Sequence, residues 1–219
     1  YSLGTFGDAT IVSNEYDVEY GHWVITFDRE LTTIGSNAFH GCRSLTSITI
    51  PDSVTEIGSQ AFASCTSLAK VIIPDSVTTI GARAFEYCDS LMEITIGKSV
   101  VAIGRYILDS CESLRTVYCK PTTPPTCDSN AINFFGCDTT NVTLYVPVES
   151  MNSYVNHDRW DFYDDIMVPY NYETGEIVST SIITYGGDGM IKFDEEAFDA
   201  NIIAHYLYYS DSGYKIIFD

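Results

Sequence analysis

Apolar residues recur along this chain at intervals of 23 positions, a spacing far longer than the period of any single helix or strand. Leu45, Leu68, Leu91 and Leu114 share one column, and Ile48, Val71, Ile94 and Val117 the next. Ile50, Ile73, Ile96 and Cys119 follow, then Leu31, Val54, Val77 and Val100. Ile34, Ile57, Ile80 and Ile103 form another column, and Phe39, Phe62, Phe85 and Leu108 another; Cys42, Cys65, Cys88 and Cys111 close the unit. Within each unit Leu-x-x-Ile-x-Ile alternates as a short strand does. Pro-Asp-Ser after it is a turn signal, because Pro fixes φ and Asp or Ser bonds back to the local backbone. Gly35, Gly58, Gly81 and Gly104 mark a position of positive φ or of close backbone approach. The Ala-Phe-x-x-Cys tail fits one helical turn with Phe and Cys on one face.

A fixed period in the range of about 20–29 residues predicts a solenoid of stacked coils. No coil buries its own apolar side; stacking at about 4.8 Å builds the core. The columns reach back to Ile25-Thr-Phe-Asp28, which gives four to five coils. Between the core positions of each strand lie the residues of an exposed face. They are Trp23, Val24 and Thr26; Thr46, Ser47 and Thr49; Ala69, Lys70 and Ile72; Met92, Glu93 and Thr95; Arg115, Thr116 and Tyr118. Trp23, Thr26, Thr49, Lys70, Ile72, Met92, Glu93, Arg115 and Tyr118 are the expected binding residues, since aromatic, Met and Arg side chains suit interface cores. A solvated sheet face with no ligand is the competing reading.

Charge narrows the partners. Residues 1–120 carry 14 acids and 8 bases, residues 121–219 carry 16 acids and 3 bases, and the net charge is −19. Such a surface repels phosphate backbones and anionic membranes, which excludes nucleic acid as a partner class. No apolar run reaches the roughly 20 residues that span a bilayer. The chain begins with Tyr, and its expected standing is that of a mature part whose targeting segment is absent.

The chemistry of sites is sparse. Four cysteines at the repeat period read as a buried column of free thiols, small core hydrophobes. Cys119, Cys127 and Cys137 fall in the following region, where a Cys127–Cys137 bridge stays open as an alternative. The chain has no Cys-x-x-Cys pair, so zinc has no signature. His22, His40, His157 and His205 are scattered, and nothing pairs one with a nucleophile. Asp158, Asp161, Asp164 and Asp165 lack the spacing of a calcium loop. No catalytic residue, metal or cofactor is expected.

The unit Ser-Leu-x-x-Ile-x-Ile-Pro-Asp-Ser-Val-x-x-Ile-Gly-x-x-Ala-Phe-x-x-Cys resembles the BspA-like leucine-rich repeat proteins of bacterial surfaces. Tyr118 to Thr126 resembles the closing turn of such modules, Leu144-Tyr-Val-Pro147 their last strand, and Ser150 to Ile166 their helical cap. The third repeat departs from the pattern, with Gly97-Lys98 for Pro-Asp and Tyr106-Ile-Leu108 for x-Ala-Phe. The resemblance implies a leucine-rich repeat solenoid of the α/β class, built mostly of short parallel strands with helical turns. It also implies a secreted or cell-surface bacterial protein that is not an enzyme. Adhesion-type recognition of host matrix or neighbouring-cell proteins is the expected function; a glycan binder and a structural spacer are the alternatives.

Four segments follow: an N-terminal cap segment 1–24, a solenoid 25–120, a capping region 121–170, and a small β-rich segment 171–219. The last echoes the first. Phe198-Asp-Ala-Asn-Ile-Ile-Ala-His205 and Lys215-Ile-Ile-Phe-Asp219 parallel Phe6-Gly-Asp-Ala-Thr-Ile-Val-Ser-Asn14 and Val24-Ile-Thr-Phe-Asp28. The expectation is a module recurring every 192 residues, with a hairpin signal at Tyr185-Gly-Gly-Asp-Gly189.

Overall fold

The computed structural model describes residues 6–19, 22–127 and 135–178, with His22 and Trp23 as backbone alone. The expected hairpin at 185–189 and the echo of the N-terminus lie outside the described residues. The chain opens with an antiparallel pair, β1 (Ile11–Asp17) and β2 (His22–Phe27). Two parallel ladders follow. One contains β3 (Thr33–Ile34), β4 (Glu56–Ile57), β6 (Thr79–Ile80), β8 (Ala102–Ile103) and β10 (Thr126–Cys127) in that spatial order. The other runs β5 (Lys70–Ile72), β7 (Glu93–Ile96), β9 (Thr116–Cys119), β11 (Thr143–Pro147) and β12 (Met167–Asn171), with β13 (Glu176–Ile177) antiparallel on its edge.

Register places chemically equivalent residues side by side. Thr33 faces Glu56 and Glu56 faces Thr79; in the second ladder Val71 faces Ile94 and Ile94 faces Val117, each 23 positions on. A parallel ladder at this register stacks like on like, so a core column in the sequence becomes a continuous core in space. Leu68, Val71, Ile73, Leu91, Ile94, Ile96, Leu114, Val117 and Cys119 are all buried. So are Val54, Ile57, Val77, Ile80, Val100 and Ile103 from the other ladder.

The Ala-Phe-x-x-Cys segment departs from expectation. It forms consecutive β-turns, not a helical turn, and the hydrogen bonds give the reason. Ala38, His40 and Cys42 donate their N–H groups to carbonyls three residues back. The intervening Asn37, Phe39 and Gly41 donate instead to Ser59, Ala61 and Ala63 of the next coil, at 3.0, 2.7 and 2.7 Å. A helical turn would direct every amide along its own axis and leave none for the neighbour. Alternation requires left-handed residues, found at Asn37, Gln60, Arg83 and Tyr106 (φ 61, 54, 58 and 59°) and again at Ser64, Tyr87 and Ser110 (φ 60, 57 and 58°). Each non-glycine residue in that region costs about 1–3 kcal/mol, offset here by a third ladder between coils.

The repeating glycine therefore serves close approach. A Cβ on Gly81 would stand 2.4 Å from the Ser59 nitrogen and 2.6 Å from the Gly58 carbonyl carbon. The phenylalanine column is a stack of rings: Phe39 to Phe62 at 5.2 Å and 3°, and Phe62 to Phe85 at 5.3 Å and 1°. Phe6 packs on Phe39 and Phe27 at one end, with centroids 5.7 and 5.0 Å away. At the other end the Leu108 N–H donates to the Phe135 carbonyl, and Phe135 packs on Trp160 and Tyr163.

Trp160 and Tyr163 come from Ser150–Ile166, which forms a short helix α1 (Met151–Val155) and a 3-10 helix at Asp161–Ile166. Their polar ends are satisfied as burial requires. Trp160 Nε1 donates to the Pro125 carbonyl at 2.9 Å, the Tyr154 hydroxyl donates to the Pro121 carbonyl at 2.8 Å, and the Tyr163 hydroxyl accepts from the Phe135 N–H at 3.0 Å.

Two boundaries differ from the sequence reading. Ile25–Phe27 sits in the antiparallel β2 instead of a first parallel strand, because β1 supplies a partner through its full length. Leu144–Pro147 is not the last strand: β12 pairs with β11 in parallel and crosses the expected boundary at 170, since Val168 faces Tyr145 and Tyr170 faces Pro147.

Phe62→Ala removes the middle ring of the stack, and the expected loss of stability is about 3–5 kcal/mol by chemical denaturation. Tyr87→Gly, at a left-handed position with an exposed side chain, is expected to stay within about 1 kcal/mol of the parent.

Candidate binding face

The outward residues of the second ladder form rows that cross the strands. One row runs Ile72, Thr95, Tyr118, Tyr145 and Val168, each in register with the next. Thr49 precedes Ile72 by the same offset and lines the same groove. A parallel row begins with Lys70, Glu93, Thr116 and Thr143. Core residues alternate with these: Val71, Ile94, Ile96 and Val117 point inward, so their neighbours must point out.

The row ends in a tyrosine cluster. Tyr118 stacks on Tyr145 at 4.9 Å and 15°, while Tyr170 meets both edge-on at 5.4 and 5.3 Å. Tyr172 packs on Tyr170 at 4.8 Å, and its hydroxyl donates to the Tyr145 carbonyl at 2.9 Å. The parallel register is the cause, because it puts Tyr118 and Tyr145 on adjacent strands at the same height. Tyr118 and Tyr145 thus lie face to face on adjacent strands, and Tyr172 also meets Tyr118 edge-on at 6.5 Å. Burial, then the Glu93 carboxylate, pushes the Tyr118 phenol above its ordinary range; burial does the same for Tyr172.

Charges flank the row in pairs. Lys70 Nζ lies 2.7 Å from Glu93 Oε1, and that hydrogen bond, with the carboxylate's charge, raises the Lys70 pKa. Asp75 lies 3.6 Å from Lys98 Nζ and 3.9 Å from Lys120 Nζ, and its carboxylate accepts from the Lys98 N–H at 3.1 Å. Lys70 and Lys120 border one groove, and Asp75 is shared between Lys98 and Lys120. An open groove of about 750 Å³ passes over Thr49 and Ile72, bordered by Asp52, Asp75, Lys70 and Lys120. Against a chain of net charge −19, this is a surface where opposite charges are matched.

The expected residues divide on this geometry. Lys70, Ile72, Glu93 and Tyr118 share the ladder face, with Ile72 54% exposed. Met92 and Arg115 precede their strands, Met92 also 54% exposed and Arg115 folded back so that its guanidinium donates to the Glu112 and Leu114 carbonyls. Thr49 borders the groove in an extended segment outside any strand, tied to the next coil by one bond from the Ala69 N–H to the Thr46 carbonyl. Thr26 lies on β2 of the antiparallel hairpin, as does the backbone of Trp23, whose side chain lies outside the described residues. Thr95 is buried, at 8% exposure, between its larger neighbours.

Tyr145, Tyr170 and Tyr172 were not anticipated. The offset from Tyr118 to Tyr145 is 27 positions, which breaks the period. The alternation of Leu144-Tyr-Val was the available signal, since buried Leu144 and Val146 leave Tyr145 to face out.

The cysteines contribute packing and not reactivity. All seven are free thiols, including Cys127 and Cys137. Cys65, Cys88 and Cys111 each donate to the carbonyl of a Phe one coil back (Phe39, Phe62 and Phe85) at 3.2, 3.3 and 3.2 Å. Burial pushes Cys65 and Cys88 up to about 12, the wrong direction for a nucleophile. Among the described residues no group of three or more His, Cys, Asp or Glu is placed to hold a metal. No helix among them is long and apolar enough to cross a membrane.

Comparison with known proteins gives one broad match. The family model for the BspA type leucine rich repeat region matches residues 32–159 in six copies. A leucine-rich repeat protein from Bacteroides ovatus ATCC 8483 is 30% identical, with a TM-score of 0.44, over 52% of this chain and 28% of that one. This chain thus spans little more than a quarter of that protein. A leucine rich repeat protein from T. pallidum is 25% identical, with a TM-score of 0.48, over 62% of this chain and 69% of that one. No curated protein matches.

The thiol column fixes an alkaline limit. A thiol raised by folding is protonated in the folded chain where the unfolded chain is ionised, so stability is full below pH about 9 and falls as pH rises toward about 12. Thermal unfolding across pH 8 to 11 should show the decline, and Cys65→Ala with Cys88→Ala should flatten it. At pH 8 a thiol reagent should leave Cys65 and Cys88 unmodified until denaturant is added.

Proposed function

The chain belongs to the BspA type leucine-rich repeat family, and from that premise we propose that it is a secreted or surface-attached adhesion protein. It takes hold of an extracellular protein, a host matrix component or the surface of another cell, through the outward rows of its second ladder. The tyrosine cluster is the observation that carries this reading. Tyrosines supply large, rigid contact area at small conformational cost, and buried interface energy concentrates in such residues. Exposed Ile72 and Met92 extend the apolar part of the surface.

Two features favour a protein over a glycan. Tyr118 and Tyr145 turn faces toward each other and Tyr170 packs edge-on against both, so much of the cluster's aromatic surface is spent on its own contacts. The paired charges suit a polar interface rim, and a partner can exchange pairs with them. A scaffold role for the family agrees with the raised thiol pKa values, which leave no activated nucleophile among those groups.

Binding of the folded chain to immobilised matrix proteins, by surface plasmon resonance, is the test. Tyr118→Ala should weaken a saturable interaction at least tenfold, or about 1.4 kcal/mol. Thr26→Ala, on the hairpin, should leave it unchanged. Binding confined to a glycan array, or equal loss in both variants, would overturn the reading.

A further inference from the structure

The ladder of turns has a direction, and it leaves one end unanswered. Amides of each coil donate to carbonyls of the next: Asn37, Phe39 and Gly41 to Ser59, Ala61 and Ala63. Two further steps repeat the pattern and end on the carbonyls of Arg105, Ile107 and Asp109. In the first coil the corresponding carbonyls are those of Ser36, Ala38 and His40, 23 positions before Ser59, Ala61 and Ala63. They point out of that coil on the side away from the second, and no amide or side chain among the described residues donates to them. Ala38 is buried, and a buried acceptor left unpaired is costly.

A groove of about 950 Å³ lies at this end, lined by Asn14 and Ile25 of the hairpin and by residues of the first coil between Asn37 and Leu45, His40 among them. Its apolar part is Ile25, Phe39, Cys42 and Leu45, all half-buried, whereas Phe62, Cys65 and Leu68 one coil on are fully buried. No acidic residue lines it, in a chain that carries 30. Arg43 does, and its guanidinium makes no ion pair or hydrogen bond, while Lys70, Lys98 and Lys120 are each held by a carboxylate. An apolar cleft with a few convergent polar groups is the usual form of a ligand site.

Three demands then select the ligand. The free guanidinium fits a carboxylate, which it can hold through paired hydrogen bonds. The open carbonyls need N–H donors, which a fatty acid lacks. The half-buried columns need an apolar side chain. The last residue of a polypeptide meets all three from one Cα, since it carries a carboxylate, an amide N–H and a side chain together. An Asp or Glu within a chain would spend on its carboxylate the side chain that the apolar wall requires. We infer that the groove at the first coil receives the C-terminal end of a partner polypeptide, with its carboxylate on Arg43, its amides on the open carbonyls and an apolar last side chain against Phe39 and Leu45. This groove shares no lining residue with the one at Thr49, and the inference does not depend on the adhesive reading.

Fluorescence anisotropy of the folded chain tests it, with a panel of labelled hexapeptides varied in their last two residues, each made as the free acid and as the C-terminal amide. Saturable binding is expected for free acids that end in Leu, Ile or Phe, with their amides weaker by about tenfold. Arg43→Gln should weaken the free acids by about the same factor and abolish the difference between the two forms, and Arg43→Lys should restore part of it. Arg105→Gln, at a second guanidinium without a partner, should change nothing. Circular dichroism and the Tm of each variant exclude unfolding as the cause. Silence across the panel, equal binding of acids and amides, or full affinity in Arg43→Gln would overturn the inference. So would a preference for amidated peptides with an internal Asp, or displacement by decanoate as strong as by unlabelled peptide. Binding to matrix proteins through Tyr118 should be the same in Arg43→Gln, so the two sites succeed or fail separately.

Discussion

The hydrogen bond between one coil and the next is the constraint on which this molecule depends. It operates in both strand ladders and, through left-handed residues such as Asn37 and Gly41, in a third ladder of turns. With bonds on several sides, each coil is fixed in height, angle and register against its neighbour. The core then follows, because equivalent residues have nowhere to stand except above one another. Phe39, Phe62 and Phe85 stack within 3° of parallel for that reason, and Cys65 and Cys88 find the carbonyls of Phe39 and Phe62 in the same relative place.

The same constraint arranges the exposed face. Whatever residues occupy the outward positions form straight rows across the strands, whether or not they resemble one another. Thr95 is sunk between Ile72 and Tyr118 because its side chain is short and its neighbours are held one spacing away. The tyrosine cluster arises from the join between Tyr118 and Tyr145, where the chain leaves its period but keeps its ladder. The repeats are thereby linked to the aromatic residues that follow them, and the surface continues across the junction.

Legibility in the sequence followed the same division. The core columns were readable, since burial of Leu68, Val71 and Ile73 demands apolar residues at every recurrence. The exposed positions were readable wherever they lay between such columns, as Lys70, Ile72, Glu93 and Tyr118 do. Conformation inside the unit was not. Ala-Phe-x-x-Cys satisfies a helical period, and only the neighbour's carbonyls, invisible to a local reading, select the turns instead. The segment that holds Trp23 and Thr26 was not legible as a hairpin strand: the columns reach it, but β1 supplies an antiparallel partner. Tyr145, Tyr170 and Tyr172 were hidden by the lost period, as no column pointed to them.

The close approach at Gly81, where a single added carbon would meet the neighbouring backbone, shows how little slack separates one layer from the next. Layers so tightly indexed make the array a vernier. Gain or loss of one 23-residue unit shifts everything beyond it by one whole step, and never by a fraction. Lineages that duplicate or delete units can therefore change the length and the sequence of bumps along the outer rows while the interior stays intact. Diversity of surface is available here by counting layers, without redesign of any one of them.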